Sequence, residues 1–301
     1  MSHNFSRKFK LPNQAYEFLD IPTNEEDILA FIDPFLIEKN KSDIFIKKVS
    51  QRLQEFLREL NNSYIKINDY KNGIPFLNHL HEPNEFHLGY SSSNKGKAIS
   101  KSKSEEIFYA LRGNRFASQA FSITNEAHNV LLLVKGIGQD IMSDIISNVC
   151  RDIFSEFTVS ICTKYMISNE YLKNVTIEYY NSKSKKWDTK KVKLPFINSK
   201  IILLPADILS GKREYSSRYN WFISKNYLSK EVLENKRPSN SKMVTEMKDG
   251  TKKAIIKEIY NQYRKPKDEL IEFVLQYPNS LDEFMEYAKV HYPKLNLDNL
   301  K

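Results

Sequence analysis

The 301 residues are 41% hydrophobic and 12% aromatic, enough for a packed core, and no stretch approaches the roughly 18 consecutive apolar residues of a membrane span. The N-terminal MSHNFSRKFKLPNQ has no apolar leader segment, so the expectation is a cytoplasmic protein with no membrane partner. The net charge of +9 belongs to the second half: residues 1–150 hold 18 basic and 18 acidic side chains, whereas residues 183–267 hold 22 and 8. Such a concentration predicts a polyanionic partner, nucleic acid, and DNA rather than RNA.

Thr23 and Glu26 form a capping box ahead of DILAFI, and Pro34 should end or kink that helix. In SDIFIKKVSQRLQEFLREL, Ile46, Val49, Leu53, Phe56, Leu57 and Leu60 recur at three- and four-residue intervals, which predicts a core-packing amphipathic helix. Tyr64 to Ile67 alternate as in a strand, and Asn72-Gly73 signals a turn.

HLHEPNEFH, residues 79–87, gathers three of the six histidines with Glu82 and Glu85. No C-x-x-C pair or H-E-x-x-H helix accompanies it, so zinc is disfavoured, leaving loop packing or an acid/base role for Glu82 or Glu85. SSSNKGKAISKSKS, residues 91–104, reads as a flexible polar loop or as a phosphate cradle built from Lys95, Lys97 and the backbone around Gly96. It lacks the spacing of a Walker loop. A helix is predicted from about Glu105 to Arg112.

Residues 130–148, VLLLVKGIGQDIMSDIISN, carry the densest signal. Val130 to Val134 read as a buried strand, Gly136 and Gly138 as a turn, and the residues from Asp140 onward as a helix that continues to about Ile167. Ligands bind outside the carboxyl ends of strands in open α/β sheets, which is where Asp140 and Asp144 would fall. Asp140, Asp144, Asn148 and Asp152 then form one polar stripe, either a solvated face with Asp140 as N-cap or a pair of Mg²⁺ ligands. Cys150 and Cys162, on the same predicted helix and roughly 18 Å apart, are too distant for a disulfide.

Residues 174–196 read as a hairpin whose Lys183, Lys185, Lys186, Lys190 and Lys191 surround Trp187. Basic residues interleaved with an aromatic grip phosphates and stack bases, and lysines also protect an exposed hairpin edge. Ile201 to Leu204, ended by Pro205, is a candidate partner strand for residues 130–134. Residues 234–253 read as a linker or lid, and the remainder as helices closed by Pro278 and Pro293. There is no G-x-S-x-G elbow and no dinucleotide fingerprint.

The predicted architecture is α/β, or mixed α+β: an N-terminal helical region (1–63), a sheet-centred core with the basic hairpin (64–230), a linker or lid (231–251) and a C-terminal helical region (252–301). EPNEFHLGYS at 82–91, GKA from Gly96, GIGQDIMSDIISN at 136–148 and IILLP at 201–205 together resemble a family of bacterial proteins encoded near phage-defence and mobile-element genes. That resemblance favours Glu85, Gly89, Tyr90, Ser91, Gly96, Lys97, Gly136, Gly138, Asp140, Ser143, Asp144 and Asn148 as functional positions. Ala98 and Ala206 depart from its pattern, the latter where a lysine is expected.

The functional expectation is an anti-phage defence effector hydrolysing phosphodiesters with Mg²⁺. Asp140, Asp144 and Glu85 would hold the metal and Lys95 and Lys97 would position phosphate, with Lys97 counted among the catalytic groups. The alternative is a non-catalytic nucleic-acid-binding or sensor subunit. An ATPase or other defence-system subunit, or a second copy of the chain, are the further partners this reading allows.

Overall fold

A computed structural model describes residues 4–23, 27–89, 101–113 and 122–296. The chain divides into two compact units, one of residues 1–131, 136–213 and 289–301 and the other of residues 132–135 and 214–288. Neither follows the boundaries at 63, 230 and 251 expected from composition.

The first unit is built mainly from helices. In chain order it carries α1 (Phe5–Lys8), β1 (Phe31–Ile32), α2 (Pro34–Lys39), α3 (Ile44–Leu60), α4 (Tyr70–Leu77), α5 (Lys101–Gly113) and the start of α6 (Ala127–Leu133). There follow α7 (Gln139–Val149), α8 (Arg151–Lys164), β2 (Leu172–Asn181), β3 (Lys186–Ile197), β4 (Ser199–Lys200) and β5 (Leu209–Ser210). The Asp43 carboxylate caps α3 by accepting from Phe45 and Ile46 N–H at 2.8 and 3.0 Å. The six apolar positions from Ile46 to Leu60 are all buried, as their spacing predicts. Each such side chain stabilises the fold by about 1.5–3 kcal/mol.

The β2–β3 hairpin is the longest sheet element, antiparallel, with Val175 opposite Val192 and Tyr180 opposite Trp187. Its extent, 172–197, agrees with the hairpin read from the sequence. Ile177, Tyr180 and Leu194 are buried. Tyr180 and Trp187 meet Phe56 of α3 and Phe76 of α4 in one aromatic cluster with ring centroids 5.1–6.2 Å apart.

Mixed helix and strand is therefore the class, yet several expected elements differ. Val130 to Leu133 lie in α6 rather than in a strand, and Ile201 to Leu204 are buried but belong to no strand. Their amides bond elsewhere: Ile202 N–H donates to Glu85 O at 2.9 Å and Leu203 N–H to Thr158 Oγ1 at 2.8 Å. A short fully apolar run fits either conformation, because burial on all sides erases periodicity. All strand pairs among the described residues are antiparallel, so the central sheet expected around residues 130–134 is replaced by helix packing.

Tyr64 and Ile65 belong to a π turn continuing α3, and Asn72-Gly73 sits inside α4. Gly73 is there for contact: a Cβ at this position would lie 2.5 Å from Phe108 Cε2 of α5. Pro34 begins α2 instead of ending a helix, with Asp33 accepting from Phe35 N–H at 2.9 Å. Glu26, half of the expected capping box, lies outside the described residues. The helix after Asp140 breaks at Cys150, so Asp152 stands on α8 rather than on the α7 stripe. Both cysteines are buried free thiols.

In the second unit α9 (Tyr215–Ile223) runs through a π turn, Ser224–Leu228, into α10 (Ser229–Leu233). The expected lid holds a hairpin instead, β6 (Val244–Glu246) with β7 (Lys252–Ala254), followed by α11 (Ile256–Tyr263), α12 (Ile271–Gln276) and α13 (Ser280–His291). Tyr219 and Phe222 pack on Phe284 in its core. Among the described residues no helix is long and apolar enough to cross a membrane.

Candidate active site

The turn before α7 needs a glycine at 136, while Gly138 leaves room for the Asp140 carboxylate. Gly136 has φ +90°, which side-chain-bearing residues rarely adopt, and a Cβ on Gly138 would come within 2.8 Å of Asp140 Oδ1. Gly138, rather than Asp140, is the N-cap. Asp140 lies exposed in the first turn, where the positive end of the helix dipole favours a carboxylate.

Much of α7 serves as a clamp. Gln139 donates to Ser210 Oγ and Gly211 O at 3.3 Å and accepts from Arg213 N–H at 2.6 Å. Ser143 Oγ accepts from Ile32 N–H at 3.1 Å. Asn148, fully buried, donates to His81 O at 2.7 Å and accepts from His81 N–H at 3.2 Å, pinning the 79–87 segment to the helix. The landmark spacing from Gly136 to Asn148 thus largely encodes backbone positioning.

Asp144 has a different character. It lies one turn before Asn148, mostly buried, with Lys103 Nζ of α5 at 3.4 Å. Burial pushes its carboxyl up to about 7; Glu82 and Asp140 press the same way, and Lys103 opposes them. Asp27 is raised to about 6 by burial and by Glu82. It reaches this neighbourhood because residues 28 and 88 form a parallel bridge, with Ile28 N–H donating to His87 O at 2.8 Å and Gly89 N–H to Ile28 O at 3.1 Å. Gly89, at φ +145°, leaves space beside Asp27 Oδ2, 3.7 Å from where its Cβ would stand. Among the described residues, negative charge around Asp144 therefore outweighs the positive charge that Lys103 supplies.

Glu85 is not part of this centre. Its Oε1 lies 2.7 Å from Arg151 Nε in a buried ion pair, and Lys200 Nζ stands at 3.5 Å. Arg151 also donates to Asn148 Oδ1 at 2.7 Å and Glu178 O at 3.1 Å. A carboxylate so engaged serves as the counter-ion of Arg151 and Lys200, whereas it was expected to join Asp140 and Asp144 around a metal. Among the described residues no three His, Cys, Asp or Glu side chains are gathered closely enough to hold a metal between them. His79 Nδ1 and His81 Nε2 meet Glu178 of β2 at 2.9 and 3.5 Å, which accounts for the histidine pair as hairpin docking. Lys95, Lys97, Tyr90, Ser91 and Gly96 lie outside the described residues.

On the hairpin, Trp187 is an anchor and not an open stacking platform. Its Nε1–H donates to Phe76 O at 2.8 Å and its ring stacks on His79 at 5.1 Å. Lys185 pairs with Glu59 at 2.9 Å and Lys190 with Glu156 at 3.2 Å. Lys183, Lys186 and Lys191 are exposed and have no acidic partner among the described residues, so they are the cations left for a phosphate backbone.

Sequence reasoning missed Asp27 and Lys103, both brought to Asp144 by packing between distant segments. It also missed a shallow recess lined by Glu38, Ser50, Gln54, Glu126 and His128. Its polar groups are largely paired internally: Ser50 bonds Glu38 at 2.5 Å and Gln54 bonds Glu126. Burial holds His128 down to about 4, hence neutral. The apolar spacing of α3 gave no hint of it.

No curated protein and no solved structure matches the chain. One family model does, over residues 9–216, which encloses the acidic centre, the Glu85–Arg151 pair and the basic hairpin. By that match the chain belongs to the family described as a domain of unknown function, DUF8370.

Proposed function

We propose that the chain acts on nucleic acid as a Mg²⁺-dependent phosphodiesterase of bacterial defence against phage, with its acidic centre at Asp144. The observation that carries this reading is the Asp144 carboxyl, held near neutrality by burial and by the charges of Glu82 and Asp140, and only partly offset by Lys103. Perturbed carboxylates of this kind concentrate where protons or cations are handled. Asp140 and Asp144, one turn apart on α7, suit a hard dication that keeps most of its water and takes the rest of its ligands from substrate phosphate. Mg²⁺ there would neutralise charge at the scissile phosphate. Lys103 is placed to hold a phosphate oxygen, and Glu82 or Asp27 to accept the proton of an attacking water. The resemblance of the landmarks to defence-associated proteins supplies the biological setting.

Single- and double-stranded DNA and RNA, incubated with and without Mg²⁺, test the proposal. The expected result is metal-dependent cleavage by the wild type, lost in an Asp140→Asn/Asp144→Asn pair that still binds the substrate. Full cleavage by the pair would overturn the site assignment. Binding without cleavage in Mg²⁺ or Mn²⁺ would favour the second reading, a non-catalytic nucleic-acid-binding subunit, which the clamp role of Gln139, Ser143 and Asn148 also suits.

A further inference from the structure

Two helices of the second unit carry the same pattern: a cation, an aromatic three residues on and a cation four residues after that. On α9 and its π turn these are Arg218, Trp221 and Lys225; on α11 and its cap they are Lys257, Tyr260 and Arg264. Positions i, i+3 and i+7 share one helix face, so each helix presents an aromatic flanked by positive charge. The two aromatics touch, with ring centroids 5.6 Å apart and planes tilted by 56°. The Arg264 guanidinium lies over Tyr260 at 5.7 Å. Trp221 is 42% exposed, while the four cations lie open to solvent. Lys225, Lys257 and Arg264 have no acidic partner among the described residues.

The surface is held firmly. Buried Asn220, adjacent to Trp221, donates to Lys265 O at 2.9 Å and accepts from Lys265 N–H at 2.8 Å, locking the end of α11 to α9. Next to the exposed aromatics, Tyr219 is anchored by Ser280 Oγ at 2.6 Å.

We infer that the Trp221–Tyr260 ridge is a second nucleic-acid contact, specific for single strands, with an unpaired base stacking on the exposed Trp221 ring, Tyr260 backing that ring, and phosphates held by Lys225, Lys257 and Arg264. Flat aromatic surface bordered by cations fits unstacked bases, which a duplex does not offer. A membrane surface would call for a broad apolar face, whereas charge borders these two rings on both sides. The site lies beyond residue 216, where the family match ends, so single-strand capture is a property of the second unit added to the acidic centre.

Anisotropy of labelled oligothymidylate and of a duplex of equal length decides the matter. Trp221→Ala with Tyr260→Ala is expected to weaken single-strand binding roughly 10- to 100-fold, since each stacked base contributes about a tenfold factor or somewhat more. Duplex binding is expected to change far less, and Trp221→Phe to retain affinity within a few-fold. Lys225→Glu with Arg264→Glu, both at exposed positions, is expected to weaken single-strand binding and flatten its salt dependence. Wild-type affinity in both double variants, equal losses for single strand and duplex, or no single-strand binding by the wild type would each overturn the inference. Asp144→Asn is expected to leave this binding intact, which separates the outcome from that of the cleavage assay.

Discussion

Replacing Asp144 by Asn tests the electrostatic reasoning without any substrate. A carboxyl raised to about 7 in the fold, against an ordinary value of 3.8, has its charged form disfavoured there by about 4 kcal/mol relative to the unfolded chain. The folded state holds this proton more tightly than the unfolded chain does, so stability falls as pH rises from about 4 to about 7 and levels off above. Asparagine keeps the shape and carries no charge, which removes that fall. The attraction of Lys103 is already contained in the value of about 7, so it is not subtracted again. The variant is therefore expected to exceed the wild type by about 4 kcal/mol at about pH 8 and to match it closely at about pH 4. Urea denaturation of both proteins at the two pH values measures the difference. A variant no more stable than wild type at the higher pH would show that Asp144 is ionised there at no cost, and the case for a strained acidic centre would fail.

Two further outcomes test the scaffold around it. Arg151→Ala leaves the buried Glu85 carboxylate with only Lys200 at 3.5 Å and removes a bond to Asn148, so a loss of about 3 kcal/mol is expected by chemical denaturation; a loss under about 1 kcal/mol would show that the pair is not buried in solution. Gly73→Ala drives a methyl into Phe108 at 2.5 Å, and calorimetry is expected to record a destabilisation of about 1–3 kcal/mol despite alanine's better helix propensity.

Local signals carried some of this fold in full. The apolar spacing of residues 46–60 specified α3, because an amphipathic helix writes its buried face into the order of its residues. The alternation on either side of a Ser/Lys turn specified the β2–β3 hairpin for the same reason. Where burial is complete the code disappears: residues 130–133 and 201–204 look alike in sequence, yet one is helix and the other a buried segment outside any regular element. Which one forms is settled by the partners available to their backbone groups, such as Glu85 O and Thr158 Oγ1 for residues 202 and 203.

The acidic centre divides along the same line. Sequence alone determined the glycine turn, the α7 stripe with Asp140 and Asp144 one turn apart, and the concentration of positive charge after residue 182. Tertiary structure decided which carboxylates matter. Glu82 and Glu85 are three residues apart in one loop, and only packing placed Glu85 against Arg151 while leaving Glu82 to press on Asp144 and Asp27. It likewise turned Trp187 inward and set Trp221 against Tyr260. A side chain's charge and shape are written in its own residue, but its counter-ion and its access to water come from segments remote in the chain.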